Sequence, residues 1–244
     1  MVQGLHVRSR HAAPPDGDVI GPPLVLVAGL GLSGRYLLPL GAELAERHDV
    51  WIPDLPGFGR SEAPSRKVLG MAELGDATVA WMDAVGMRRA VLVANSAGCQ
   101  IAVEAAARHA DRIGGMVLEA PTIDASARSV IRHLGRVVLD SFHEPFSLWW
   151  VQIFDWLDTG PRRLVGTVRH TFAHRVEERL PLVTCPAVVV RGSLDRIVPM
   201  RWAAQVAAAL PHGTLRLEDG ASHAMPYSAP QRLAATVTAF VRSL

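Results

Sequence analysis

Hydrophobic positions along this chain follow two alternating patterns. Short apolar runs, Leu24-Val25-Leu26-Val27, Val91-Leu92-Val93 and Val188-Val189-Val190, stand between Gly, Pro and Asn residues. Continuous apolar runs of this length predict strands buried on both faces of a sheet. Between them the spacing turns helical: Leu37, Leu40 and Leu44 put one stripe over residues 36–47, and 71–86, 98–109, 201–210 and 229–242 read the same way. Further strands are expected at 49–53, 115–118 and 214–218. Strands that alternate with helices of 10–15 residues imply βαβ crossovers. The expected class is therefore α/β, a mostly parallel sheet with helices on both faces.

The alternation breaks at Pro121 and resumes near Pro186. The residues between have helical patterning, Gly and Pro punctuation and no strand-like run. They also hold half of the chain's aromatic residues: Phe142, Phe146, Trp149, Trp150, Phe154, Trp156 and Phe172. We read residues 1–121 and 183–244 as one sheet domain and 122–182 as a helical insertion into it. Neither an internal repeat nor a low-complexity tract is visible.

Composition narrows the function classes. The 244 residues are 49% hydrophobic and 20% charged, as expected of a globular enzyme rather than a disordered chain. A formal charge of +2, with scattered arginines and no basic run, gives no footprint for nucleic acid. The longest apolar run, Leu24 to Leu32, is far short of a bilayer span. The N-terminal stretch lacks the apolar core of a signal peptide, so a cytoplasmic protein is expected. Cys99 and Cys185 fit neither a CxxC nor a metal pattern and are expected as buried free thiols.

The chemistry concentrates at Ala94-Asn95-Ser96-Ala97-Gly98. A strand that stops at a serine and turns at once into a helix holds the hydroxyl at the carboxyl edge of the sheet, where ligands of open α/β folds bind. Such a turn strains the backbone at the serine and demands small residues two before and two after it; Ala94 and Gly98 meet that demand. Serine is a weak nucleophile at neutral pH and needs a base, which in turn needs an orienting carboxylate. The run Arg191-Gly192-Ser193-Leu194-Asp195 follows one strand and Gly220-Ala221-Ser222-His223 follows the last. Ser96, Asp195 and His223 thus fall at equivalent edge positions, in the order nucleophile, acid, base. Glu119 and Asp124 are rival positions for the acid; the Gly-x-x-Asp-x-x-x-Pro context favours Asp195.

These motifs, together with LVLVAGLGLSG near the N-terminus and DLPGFGRSE at 54–62, resemble those of the α/β-hydrolase superfamily over nearly the whole chain. The resemblance implies an oxyanion hole made by the backbone N–H groups of Leu30 and Ala97. It also implies that 122–182 is a helical cap over the serine. Two departures stand out. Ala94 replaces the usual first glycine of the elbow, and Ala28 replaces the histidine common in the first motif, whose family role is a backbone one. From the aromatic content of the cap, Phe146, Trp149 and Trp150 are candidate pocket residues. Arg128, Arg132 and Arg136 recur at helical spacing, either as a solvated face or as a clamp for a substrate carboxylate.

The expected activity is hydrolysis of carboxylic esters or related acyl compounds through an acyl-enzyme, with a small apolar substrate and no metal or organic cofactor implied. Two alternatives remain. Asn95-Ser96 resembles the elbow of C–C bond hydrolases of the meta-cleavage-product type, although Ala224 and Met225 stand where that group commonly has a tryptophan after the histidine. A non-catalytic ligand receptor would keep the pocket without needing all three triad members.

Overall fold

The computed structural model describes Val2, residues 4–65 and residues 67–244. Seven strands form one sheet: β1 (Ser9–Ala12), β2 (Leu24–Val27), β3 (Val50–Pro53), β4 (Ala90–Asn95), β5 (Ile113–Glu119), β6 (Ala187–Gly192) and β7 (Gly213–Glu218). Their order is β1-β3-β2-β4-β5-β6-β7. Every neighbouring pair is parallel except β1 with β3. The expected mostly parallel sheet is what forms, with element ends shifted by up to two residues from those read in the sequence.

Side chains alternate across the sheet and divide the interior into two cores. Val25, Val27, Leu92 and Ala94 point to one side, where they meet α2 (Met71–Ala84), α3 (Gly98–Arg108) and α8 (Met200–Ala209). Leu24, Leu26, Val91 and Val93 point to the other and pack on α1 (Leu38–Ala45) and α10 (Pro230–Arg242). Period-2 alternation with both faces covered explains why these strands read as unbroken apolar runs. Cys99 and Cys185 are both buried and free, and burial pushes both thiols up, Cys185 to about 11.

Strand β1 was invisible in the sequence. Its residues, Ser9-Arg10-His11-Ala12, are polar but for the alanine and end exposed, because an edge strand pairs through backbone alone and needs no apolar face.

Between β5 and β6 the chain makes four helices: α4 (Val130–Ser141), α5 (Phe146–Thr159), α6 (Pro161–Ala173) and α7 (Val176–Arg179). They lie over the carboxyl edge of the sheet and are tied to it by buried polar contacts. Ser33 gives its N–H and its hydroxyl to the Asp155 carboxylate, each at 2.9 Å. Trp156 Nε1 donates to Leu30 O at 3.2 Å and Thr159 Oγ1 to Gly31 O at 3.1 Å. A short helix, α9 (Met225–Ser228), follows the loop after β7. Among the described residues, no helix is long and apolar enough to cross a membrane.

Candidate active site

Strand β4 ends at Asn95 and α3 begins at Gly98, so only Ser96 and Ala97 make the turn. Ser96 carries φ +55°, in the left-handed region, where non-glycine residues are strained. Its N–H is held by Glu119 O on the neighbouring strand at 2.9 Å. The requirement for glycine is visible at 98: a Cβ there would stand 2.6 Å from Ala28 O and 2.7 Å from Val27 O. At 94 the methyl group is fully buried without displacing the turn.

The three loops at the sheet edge bring Ser96, His223 and Asp195 together. His223 Nε2 lies 3.1 Å from Ser96 Oγ, and His223 Nδ1 lies 3.1 Å from Asp195 Oδ2. The other oxygen of Asp195 accepts the N–H groups of Ile197 at 2.7 Å and Val198 at 2.9 Å. Burial opposes the Asp195 charge, but the attraction of His223 and these hydrogen bonds hold its carboxyl below the usual range. Burial likewise opposes a charge on His223. The adjacent Asp195 wins, through attraction and a hydrogen bond, and raises the imidazole to about 9.

The rival carboxylates are engaged elsewhere. Glu119 is fully buried and accepts a hydrogen bond from the Asn95 side-chain amide, not from the imidazole. Burial pushes Glu119 well above the carboxylate range, against the opposing influence of His223 and Asn95. Asn95 Nδ2 also reaches His223 O at 3.3 Å, which connects this buried carboxyl group to the histidine backbone. Asp124 holds Ser126 and pairs with Arg201.

A cavity of about 260 Å³, open to solvent, lies over Ser96 and His223. Its walls include Leu32, Val137, Trp156, Leu164, Val168, Phe172 and Ile197, with Tyr36, His133 and Gln152 as polar points. Burial and the nearby His223 lower His133 to about 4, so it is neutral at pH 7, and its ring meets Phe172 edge-on at 5.4 Å. Leu30 lines this cavity; Ala97 lines a smaller one that shares Gly29, Leu30 and Leu32 with it. Among the described residues, neither the Leu30 nor the Ala97 N–H donates to a protein acceptor.

Phe146, Trp149 and Trp150 do not line the cavity; all three are exposed. This corrects the expectation for the aromatic pocket. On α5 the inward stripe is Leu148, Gln152, Asp155, Trp156 and Thr159, set by the i, i+4, i+7 periodicity of a helix, and the trio falls on the opposite face. The buried or hydrogen-bonding members of α5 carried the orientation signal, and the aromatic count hid it. The arginines of α4 and its approach are also outside the cavity. Arg128 pairs with Glu177 and donates to His174 O at 2.6 Å, and Arg136 donates to Ile197 O at 3.3 Å. Arg132 is exposed.

Sequence reading missed two carboxylates at the junction of α4 and α5, Asp140 in the last turn of α4 and Glu144 just beyond it. Asp140 Oδ1 accepts the N–H of Arg196 at 2.9 Å, and Glu144 Oε1 accepts the N–H of Ala224 at 2.7 Å. They hold the backbone one residue beyond Asp195 and one beyond His223. Acidic residues in a helical turn look solvated in sequence, and nothing in the pattern marks them as buried.

The chain is similar to known proteins along its whole length. It is 27% identical to a pimeloyl-acyl-carrier-protein methyl ester esterase of Aliivibrio salmonicida, over 84% of this chain and 86% of that protein. It is 25% identical to the uncharacterized hydrolase YugF of Bacillus subtilis, over 99% and 96% of the two chains. The enol-lactonase of Burkholderia xenovorans LB400 superposes with a TM-score of 0.79 at 23% identity, covering 99% of this chain and 98% of that one. Residues 24–236 match the model of the alpha/beta hydrolase family, and the chain belongs to that family.

Proposed function

We propose that the protein is a serine hydrolase that cleaves carboxylic esters of uncharged, apolar acyl groups through an acyl-enzyme. One observation carries this reading: a single imidazole bridges the strained elbow serine and a buried carboxylate, 3.1 Å to each. Ser96 Oγ attacks the carbonyl while His223 Nε2 takes its proton, and Asp195 fixes the tautomer and stabilises the imidazolium. The free N–H groups of Leu30 and Ala97 receive the developing oxyanion; one such donor is worth about 3 kcal/mol in the transition state. His223 returns the proton to the leaving alcohol, and water reverses the sequence on the acyl-enzyme. Residues 122–182 act as the cap. The likeness to a methyl ester esterase supports the ester assignment. So does a cavity whose walls are apolar, with no Lys, Arg, Asp or Glu among its lining residues. The absence of Lys and Arg there disfavours a clamp for a substrate carboxylate.

The test is a series of p-nitrophenyl esters of increasing acyl length, run beside a vinylogous diketone. Each methylene added to a short acyl chain is expected to raise kcat/KM by up to about fourfold, the ~0.8 kcal/mol of one buried CH₂, until the cavity fills. Phe172→Ala and Leu164→Ala should flatten this gain and affect acetyl ester turnover less, whereas Trp150→Ala should leave the slope as it is. A flat series with efficient cleavage of the diketone would instead assign C–C bond hydrolysis.

The pH dependence follows from the raised imidazole. The base works as neutral histidine, so kcat/KM is expected to rise with pH along a limb displaced upward from 6.5 toward about 9. Stability has the opposite sign. A raised folded-state pKa contributes stability that is full below the unfolded value of 6.5 and is lost as pH climbs through about 9. Rate profiles between pH 5 and 10, paired with thermal melts, check both. A rate limb centred at or below 6.5 would overturn the role given to the Asp195 charge.

A further inference from the structure

The outer face of α5 does what an enzyme surface in water does not usually do. Phe146, Trp149, Trp150, Ile153, Phe154 and Leu157 form one side of this helix, and all six are exposed, Phe146 by 75% and Leu157 by 70%. At about 150–250 Å² per aromatic side chain, these exposures leave on the order of 600 Å² of apolar surface uncovered, at the upper end of the ~300–600 Å² of the largest patch on an ordinary monomer. None of this surface is explained by the reaction, since the six α5 side chains lie outside the cavity.

We propose that this face of α5 is the centre of a two-fold interface with a second copy of the chain. The area fits: about 800 Å² per partner is what a standard stable interface buries. The composition fits as well, because buried Trp and Phe are the anchors of most interfaces. Within the row Phe146 stands edge-on to Trp150 at 6.5 Å and Trp150 lies against Phe154 at 6.2 Å, so the three rings present one continuous apolar surface. A two-fold axis near Trp150 and Ile153 would set α5 antiparallel against its copy. Such a contact brings each patch against itself and demands self-complementarity. The face meets that demand because no charge stands among its six residues. The same lack of Lys and Arg along residues 146–159 removes the cations that hold an amphipathic helix on an anionic bilayer.

Sedimentation velocity of the full chain across micromolar concentrations tests the proposal. The expected mass is twice the 26.3 kDa of one chain. The double variant Trp150→Glu with Phe154→Glu should sediment at half that mass, with an unchanged far-UV circular dichroism spectrum showing that it is folded. Leu217→Glu, on the exposed edge strand β7 at 49% exposure, should remain dimeric. Because both native thiols are buried, Ile153→Cys should give a disulfide-linked dimer under mild oxidation. A wild type that stays monomeric throughout overturns the proposal, as does a dimer that survives the double substitution. So does pelleting of monomeric wild type with phosphatidylcholine vesicles, which would assign the face to lipid.

Discussion

Replacing Ser96 with alanine is expected to reduce ester turnover by about 10⁶-fold, the loss seen when the nucleophile of a working triad is removed, and to leave the fold intact. The side chain makes few contacts: His223 Nε2 at 3.1 Å and Thr122 Oγ1 at 3.5 Å are its hydrogen-bonding neighbours. Alanine tolerates φ +55° no worse than serine, so the backbone strain is unchanged. The melting temperature should therefore stay within a few degrees while hydrolysis disappears. A fluorophosphonate probe should label Ser96 in the wild type and leave the variant unmodified. Turnover within tenfold of wild type, or a label mapped to another serine, would remove Ser96 from the mechanism.

Asp195→Asn is expected to lower turnover by about 10⁴-fold, for a reason visible in the hydrogen bonds. The oxygen that accepts from Ile197 and Val198 N–H has to remain an oxygen in the variant. The amide NH₂ must then face His223 Nδ1, which becomes an acceptor. The ring proton moves to Nε2, facing Ser96, and the base can no longer take the hydroxyl proton. Loss of the carboxylate charge also lets the imidazole pKa fall, so whatever activity remains should show its rising limb at lower pH than the wild type. Glu119→Gln should cost far less, because that side chain meets Asn95 and not the imidazole. If the glutamine variant proves the more damaged of the two, the acid of the triad is Glu119.

The sheet and the positions of Ser96, Asp195 and His223 were legible because each depends on local pattern. A strand buried on both faces is an apolar run, and a loop at its carboxyl end follows within a few residues. The orientation of α5 was not legible from its aromatic content, since a tryptophan is equally apolar whether it faces a cavity or the outside. Only the set Leu148, Gln152, Asp155 and Thr159, three of them polar, reveals the inward stripe, and only because those groups find buried partners such as Ser33 and Gly31. The pKa of His223 was out of reach for a similar reason. The unperturbed value of ~6.5 belongs to the residue type, whereas the rise above it comes from a carboxylate 28 positions earlier in the chain that folding brings to 3.1 Å. Edge strand β1 offered no apolar signal at all.

In the proposed mechanism, Asp140 in the last turn of α4 and Glu144 in the turn that follows make seating of the cap and assembly of the triad a single event. Asp140 grips the amide after Asp195 and Glu144 the amide after His223, while Asp155 on the next helix grips the loop that carries Leu30. An excursion that lifts the α4–α5 turn therefore strips hydrogen bonds from the acid loop and the base loop at once, and leaves buried carboxylates without donors, a costly state. Such excursions will be cooperative, and the amide protons of Arg196 and Ala224 should exchange with solvent together, at a rate that measures how often the cap stands open. On the proposed reading, access for a bulky ester and competence for its cleavage are thus alternatives in time, the cap settling again behind each substrate before Ser96 acts.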